Sequence, residues 1–328
     1  MSKGRILSGM RPTGRLHIGH LSVLENWIRL QDEYQCFFFA ADWHALTTAF
    51  DDTGNIKDNT REMMADWLAV GIDPEKSVLF VQSQVPAHAH LHLMFSMITP
   101  LSWLERVPTY KDQVQQFKEQ GKDIMMYGFL GYPLLQAADI LIYRADAVPV
   151  GEDQLPHLEL TREVARRFNH LYGSIFPEPK ALLAKVSLLP GTDSRKMSKS
   201  YGNDIGITAG VEDVRAKVQA MVTDPARIRK SDPGHPEVCV VHKYHGIYSL
   251  QQLAELEEDC RQGKVGCVAC KKLLAQTMDD VLSPIRERRR AIMERPGYID
   301  EVLEAGNKKA REEAAKTMEL VNQAMKII

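Results

Sequence analysis

The sequence predicts an α/β protein, with a parallel sheet and crossover helices over residues 1–203 and an all-helical region over 204–328. Three observations carry this. Short, continuously apolar runs (Ile6-Leu7, Cys36 to Ala41, Ser77 to Val81) alternate with helical periodicity in the first part, as strands covered on both faces do when helices join them. A turn rich in Gly and Pro (Gly9, Pro12, Gly14) follows the first run and leads into a helical pattern at Leu16. Beyond about residue 204 the strand signals vanish, leaving only helical spacing in Val211, Val214, Val218, Met221 and in Leu274, Met278, Val281, Ile285.

The bulk composition bounds the rest. The chain has 328 residues, 44% hydrophobic and 26% charged, which fits about two domains. No segment approaches the ~20 apolar residues of a membrane span, and the N-terminus lacks the apolar core of a signal peptide, so no membrane partner and a cytoplasmic location are expected. A net charge of −2 announces no global nucleic-acid binder and no DNA partner. Any RNA contact must come from local patches such as Arg286-Glu-Arg-Arg-Arg290.

Taken in order, the first strand and turn run through Ser8-Gly-Met-Arg-Pro-Thr-Gly-Arg-Leu-His-Ile-Gly-His20. A helix N-terminus there would gather free N–H groups and suit a phosphate. His17 and His20, three apart, share a face and can both donate to phosphate oxygens, while Gly19 leaves room for a nucleotide. After Cys36 to Ala41 and the loop Asp42-Trp43-His44 comes a helix carrying Met63, Met64, Trp67 and Leu68, then the strand at Ser77 to Val81. Ligands of such sheets sit at the strands' C-terminal ends. In Gly128 to Ile140, Pro133 suits a first helical turn, and Tyr132, Gln136 and Asp139 fall at i, i+4, i+7, a polar trio on the face that should meet the core. Asp146 to Val150 reads as a strand feeding Gly151-Glu-Asp-Gln154 and a long helix through Phe168, with Asp153 and Gln154 in reach of a ligand, or Asp153 as a helix cap. Lys196-Met-Ser-Lys-Ser200 lies among Pro190, Gly191, Thr192, Asp193 and Ser194. It is expected to be a mobile loop whose two lysines approach a pyrophosphate. The last stretch, Ile299 to Ile328, reads as an amphipathic terminal helix.

Five cysteines in a reducing compartment argue against disulfides. Four of them, Cys239, Cys260, Cys267 and Cys270, are separated by twenty, six and two residues. The closing Cys-x-x-Cys is a metal-chelating spacing, so four thiolates can complete a zinc site or a four-iron cluster, with four incidental buried cysteines as the alternative.

The His-Ile-Gly-His and Lys-Met-Ser-Lys-Ser strings together resemble the paired signatures of class I aminoacyl-tRNA synthetases. Over nearly its whole length the chain resembles bacterial-type tryptophanyl-tRNA synthetases, through Ser8 to Gly14, His17 to His20, Asp42-x-His44, Pro86-Ala-His-Ala89, Tyr132 to Tyr143, Gly151 to Gln154, Lys196 to Ser200 and Thr223-Asp224. The resemblance implies a Rossmann-like catalytic domain (1–203) and a helical anticodon-binding domain (204–328). It implies ATP with Mg²⁺, L-tryptophan and tRNA(Trp) as partners, and a homodimer. Asp139 would accept the indole N–H, Tyr132 and Gln154 would hold the α-amino group, and His44 and Gln136 would complete the tryptophan site. Arg11, Pro12, Thr13, Gly19, His20, Gly151, Glu152, Asp153, Leu189, Lys196, Met197, Ser198, Lys199 and Ser200 would contact ATP, with His17, His20, Lys196 and Lys199 as the catalytic groups. The cysteine spacing resembles the subset carrying a 4Fe-4S cluster in the anticodon-binding domain, with zinc as the alternative.

Carboxylate attack on the α-phosphate needs no side-chain nucleophile, only stabilisation of charge on the phosphoryl and pyrophosphate oxygens. Gln136 stands where many relatives have an apolar residue such as Met, a pattern also similar to tyrosyl-tRNA synthetases. The Gly151 to Gln154 segment and the Arg11-Pro-Thr-Gly14 opening favour tryptophan. A small nucleotidylyltransferase would lack Lys-Met-Ser-Lys-Ser and the helical appendage. A redox-sensing RNA-binding protein using the cysteines would show no ATP–pyrophosphate exchange.

Overall fold

The computed structural model describes residues 2–119, 121–183 and 189–327. By contact density the chain forms two compact units, one from Met1–Gly14, Glu25–Lys185 and Arg295–Ile328, the other from Arg15–Leu24 and Val186–Glu294.

The first unit is built on five parallel strands, β1 (Arg5–Met10), β2 (Gln35–Ala40), β3 (Ser77–Val81), β4 (Ala147–Val150) and β5 (Lys180–Leu183), in the order β3-β2-β1-β4-β5. β1 and β2 pair in register from Arg5 opposite Gln35 to Met10 opposite Ala40, while β1 meets β4 at Ile6 opposite Ala147. The continuous apolar run of β2 is buried throughout from Cys36 to Ala40, because helices cover both faces. On one face Trp27 of α1 (Leu21–Leu30) stacks on Phe38 at 4.4 Å and meets Trp67 of α3 (Ile56–Val70) edge-on at 5.0 Å. On the other, Phe37 stacks on Tyr143 at 4.8 Å, next to α5 (Tyr132–Ile142), which packs with α4 (Ala87–Ser96) and α6 (Leu155–Tyr172). Another crossover helix, α2 (Asp42–Ala49), opens directly off β2.

The terminal helix Tyr298–Met325 differs from the sequence-based division, which grouped it with the helical region after 204. It lies on the sheet. Ala310, Ala314 and Val321 are fully buried there, and Arg5 of β1 pairs with Glu313 at 3.0 Å while donating to the Tyr143 carbonyl at 2.8 Å. Asn307 Oδ1 accepts the backbone N–H of Val81 at 2.9 Å, so the helix satisfies the end of edge strand β3, which would otherwise be open to foreign pairing. Gly306 is required for this approach, since a Cβ there would sit 2.7 Å from the Leu79 carbonyl carbon.

The second unit is helical, with α7 (Val211–Ala220), α8 (Val240–Tyr248) and α9 (Cys267–Met293) as its main elements. α9 packs against both of the others, burying Leu274, Met278 and Leu282.

Candidate active site

The sheet order places its reversal between β1 and β4, where the crossovers run to opposite sides and leave a crevice at the carboxyl ends of the strands. A cavity of about 360 Å³ occupies that position, floored by Leu7 to Gly9 of β1 and Val148 to Val150 of β4. This is the size of a small-ligand pocket. Five residues singled out in the sequence line it together: His44, Tyr132, Gln136, Asp139 and Gln154. Arg11 joins them at the end of the first strand. Helical periodicity on α5 delivers Tyr132, Gln136 and Asp139 to one face, and α6 brings Gln154 from the far side.

Asp139 is almost fully buried and its carboxylate is surrounded by donors. Oδ2 lies 2.7 Å from His44 Nε2, and Oδ1 lies 2.6 Å from His88 Nδ1 and 2.8 Å from Gln82 Nε2. Burial pushes the carboxyl up, but the interactions with His44 and His88, hydrogen bonds included, outweigh it and hold the group well below the usual carboxylate range. An ionised acceptor therefore sits in an otherwise largely apolar pocket with Phe39, Phe129 and Ile140.

Sequence reasoning gave no role to His157, His88 or Gln82. His157 lines the cavity and bonds Tyr132 Oη through Nε2 at 2.9 Å, and burial pushes it down to about 4. Its position three residues after Gln154 was the available signal. His88 sits in the Pro86-Ala-His-Ala89 string. Gln82 closes β3, where residues at the strand's carboxyl end approach a ligand. The predicted Gly151, Glu152 and Asp153 form a short 3₁₀ turn. Asp153 does not cap the following helix, and instead accepts Gln154 Nε2 at 2.9 Å. Pro12 is buried, Thr13 exposed and Leu189 half-buried.

The second unit carries both signature strings. Ile18 to His20 form a 3₁₀ turn, and Gly19 faces Met197, whose Sδ would be 3.6 Å from a Cβ at that glycine. The expectation of free N–H groups at this helix terminus is corrected. Ile18 N–H donates to the Ile205 carbonyl at 2.9 Å, Gly19 N–H to His17 Nδ1 at 3.2 Å and His20 N–H to the His17 carbonyl at 2.9 Å. His17 N–H in turn donates to His20 Nδ1 at 3.2 Å. His17 thus accepts through Nδ1, which leaves its Nε2 edge as the proton-bearing donor of the neutral ring, while His20 Nδ1 lies 3.2 Å from both the His17 N–H and the His17 carbonyl and can serve as acceptor of the one or donor to the other. Burial pushes His20 down to about 4, with His17 and Lys199 acting in the same direction. The donors offered at the first string are ring N–H groups, not backbone.

Lys196 and Lys199 are exposed, Met197 is buried and Ser198 half-buried; the side chain of Ser200 lies outside the described residues. The loop is braced by Asn203, which accepts from Ser198 N–H at 2.8 Å and donates to Asp193 at 2.7 Å and to the Lys196 carbonyl at 3.1 Å.

Cys239, Cys260, Cys267 and Cys270 are half-buried free thiols. Burial, then the neighbouring thiols of Cys239, Cys260 and Cys267, push Cys270 up to about 12. As drawn, the sulfurs are otherwise engaged: Cys270 Sγ lies 3.3 Å from His245 Nε2, and Cys260 Sγ accepts from Arg227 Nη1 at 3.6 Å. Among the described residues no group of three or more His, Cys, Asp or Glu side chains is arranged to hold a metal ion.

Crevice, acceptor and paired signatures define a class I aminoacyl-tRNA synthetase architecture. Residues 2–283 match the family model described as tRNA synthetases class I (W and Y), and the chain belongs to that family. Among its relatives, a tryptophan–tRNA ligase of Thermotoga maritima is 56% identical over 99% of both chains. One from Aquifex aeolicus is 48% identical, over 98% of this chain and all of the relative. A tryptophanyl-tRNA synthetase of Campylobacter jejuni, solved with ADP and tryptophan, superposes with a TM-score of 0.87 at 33% identity, covering 98% of this chain and 99% of that one.

Proposed function

We propose that the chain is a tryptophan–tRNA ligase: it activates L-tryptophan with ATP, releasing diphosphate, and transfers the tryptophanyl group to tRNA(Trp). The supporting observation is a cavity with a buried ionised acceptor, Asp139, and four further sequence-selected residues, His44, Tyr132, Gln136 and Gln154, around it. The 56% identity to the Thermotoga maritima ligase agrees. Asp139 accepts the indole N–H, Tyr132 and Gln154 hold the α-amino group, and His44 and Gln136 complete the pocket. Arg11, Pro12, Thr13, Gly19, Gly151, Glu152, Asp153, Leu189, Met197, Ser198 and Ser200 contact ATP. His17 and His20 donate through Nε2, and Lys196 and Lys199 supply charge, so that the phosphoryl and leaving diphosphate oxygens are stabilised as charge builds on them. Mg²⁺ enters with ATP and neutralises part of that charge. Amino-acid-dependent ATP–diphosphate exchange, offered tryptophan and tyrosine separately, tests the reading: exchange with tryptophan is expected, and exchange with tyrosine alone overturns it.

The helices after residue 204 take anticodon recognition, the sheet-bound terminal helix excepted. A homodimer is favoured by an unpartnered apolar set on and beside α4: Leu93, Met97, Leu101, Met125, Met126 and Tyr127 are all exposed. Such patches mark interfaces. Five free thiols agree with a cytoplasmic location; among the described residues no helix is long and apolar enough to cross a membrane. The four cysteines hold a 4Fe-4S cluster, with zinc as the alternative. Their donor chemistry fits, since thiolates are the ligands of both centres. Gly234 leaves open the space beside Cys260, where a Cβ would fall 2.5 Å from Sγ. Anaerobically purified protein is expected to absorb broadly near 400 nm. Colourless protein with stoichiometric zinc would exclude the cluster.

A further inference from the structure

His88, from a string of the resemblance left without a role, is completely buried and does not line the cavity. Its Nδ1 faces Asp139 Oδ1 at 2.6 Å and its Nε2 faces Tyr143 Oη at 2.8 Å. A carboxylate only accepts, so Nδ1 carries the proton; Nε2 of the neutral ring is then the acceptor, and Tyr143 donates to it. Tyr143 is itself immobilised, completely buried, stacked on Phe37 at 4.8 Å and edge-on to Phe80 at 5.4 Å. Gln82, also completely buried, donates Nε2 to the same Oδ1 at 2.8 Å, while its Oε1 is buried without a partner. A turned amide would set oxygen against carboxylate oxygen, so the carboxylate fixes its orientation.

A carboxylate offers about four lone-pair positions. Gln82 and His88 fill both on Oδ1, and His44, itself a lining residue of the cavity, takes one on Oδ2 at 2.7 Å. One remains. We infer that Tyr143, His88 and Gln82 are positioning residues that keep Asp139 a saturated acceptor with a single lone pair open on Oδ2, and that this saturation selects an N–H donor over a phenol. The inference rests on the tryptophan reading. An indole N–H donates to that position and has no lone pair of its own to satisfy. A phenol oxygen can donate as well, but its own lone pairs then need donors, and the N–H groups of His44, His88 and Gln82 around Asp139 are all spent on the carboxylate, so that only lining groups that do not touch Asp139, such as Gln136, are left to meet them. Leaving a buried acceptor unmet is worth roughly ten- to a hundredfold in selectivity.

The test measures kcat and KM for tryptophan and for tyrosine by ATP–diphosphate exchange, together with Tm, in wild type, H88F, H88N and Y143F. H88F removes the donor to Oδ1; its KM for tryptophan should rise about ten- to a hundredfold with kcat within about threefold, and the tryptophan/tyrosine ratio of kcat/KM should narrow at least about tenfold. H88N places an amide N–H where Nδ1 stood and should restore KM to within about fivefold of wild type. Y143F leaves His88 and its Nδ1 proton in place but strands Nε2 without a donor, and should narrow selectivity less than H88F does. Unchanged KM and selectivity in H88F overturn the inference, as does an H88N variant no better than H88F at equal Tm. Should H88F fail to fold, H88N and Y143F decide: selectivity unchanged in Y143F and KM raised beyond fivefold in H88N refute it. Wild-type protein that activates no tryptophan refutes the functional reading instead, independently of every variant.

Discussion

Replacing Asp139 by Asn exchanges two acceptor oxygens for one acceptor and one NH₂ donor in nearly the same volume. The structure leaves no comfortable orientation for it. With the amide oxygen toward Gln82 and His88, at 2.8 and 2.6 Å in the native arrangement, the NH₂ group confronts His44 Nε2 and the N–H of a bound indole. Turned over, it confronts the two donors behind. Losing a charge-assisted bond to the ligand costs about 1.5–3 kcal/mol, and stranding a buried donor about 1–3 more. A total near 3–5 kcal/mol corresponds to a loss of about 10² to 10³ or more in kcat/KM for tryptophan. The reacting carboxylate is at the other end of the amino acid, so the loss should fall in KM for tryptophan and leave KM for ATP unchanged. Exchange kinetics with each substrate varied in turn, on protein of native circular dichroism, measure it. A drop of less than about fivefold, or an equal rise in both KM values, would refute the assignment of Asp139 as the ligand's acceptor.

Two further predictions concern stability. In Gly306→Ala two effects compete: helix propensity favours Ala by about 1 kcal/mol, whereas a Cβ 2.7 Å from the Leu79 carbonyl carbon forces the terminal helix off β3 at the overpacking cost of about 1–3 kcal/mol or more. The clash should win, so calorimetry is expected to show a Tm lower by a few degrees, and a stabilised variant would contradict the close packing. Acid should act in two separate windows. His20 and His157, held by burial at about 4 against about 6.5 unfolded, bind protons more weakly in the fold, so stability is full above pH 6.5 and lost as pH falls from there to about 4. Asp139, depressed by His44 and His88 despite its burial, loses its contribution only below its unfolded value of about 3.9. Melting temperature against pH should show the first limb already by pH 5, and H157Q should flatten it without touching the second.

What periodicity and turn chemistry encode was legible before any coordinates. The apolar character of the first four strands, the helix that puts Tyr132, Gln136 and Asp139 on one face, and the loop nature of Lys196 to Ser200 are local properties of the chain, whereas β5, with its exposed ends at Lys180 and Leu183, carried no such signal. Convergence on one cavity followed from a general rule about parallel sheets, not from those residues themselves. The donors behind Asp139 were not legible: Gln82 and His88 lie 57 and 51 positions from it, and a glutamine ending a strand or a histidine within a helix looks the same whether it faces water, core or carboxylate. Asn203, which braces the signature loop, gave no sign of its role either.

Tertiary structure also reversed one local expectation. A helix N-terminus read from sequence has free N–H groups, but here Ile205, 187 positions along the chain, supplies the acceptor for Ile18, and the two histidines cap the rest. The terminal helix likewise carries a helical pattern that cannot say what it covers; only packing decided that Gly306 meets Leu79 and Asn307 ends β3. By itself the sequence determined the class of each element and the chemical types available to the site, because those depend on neighbours three or four residues away. Which lone pair of Asp139 stays open was decided by contacts between distant segments, because hydrogen-bond saturation exists only once the partners have been brought together.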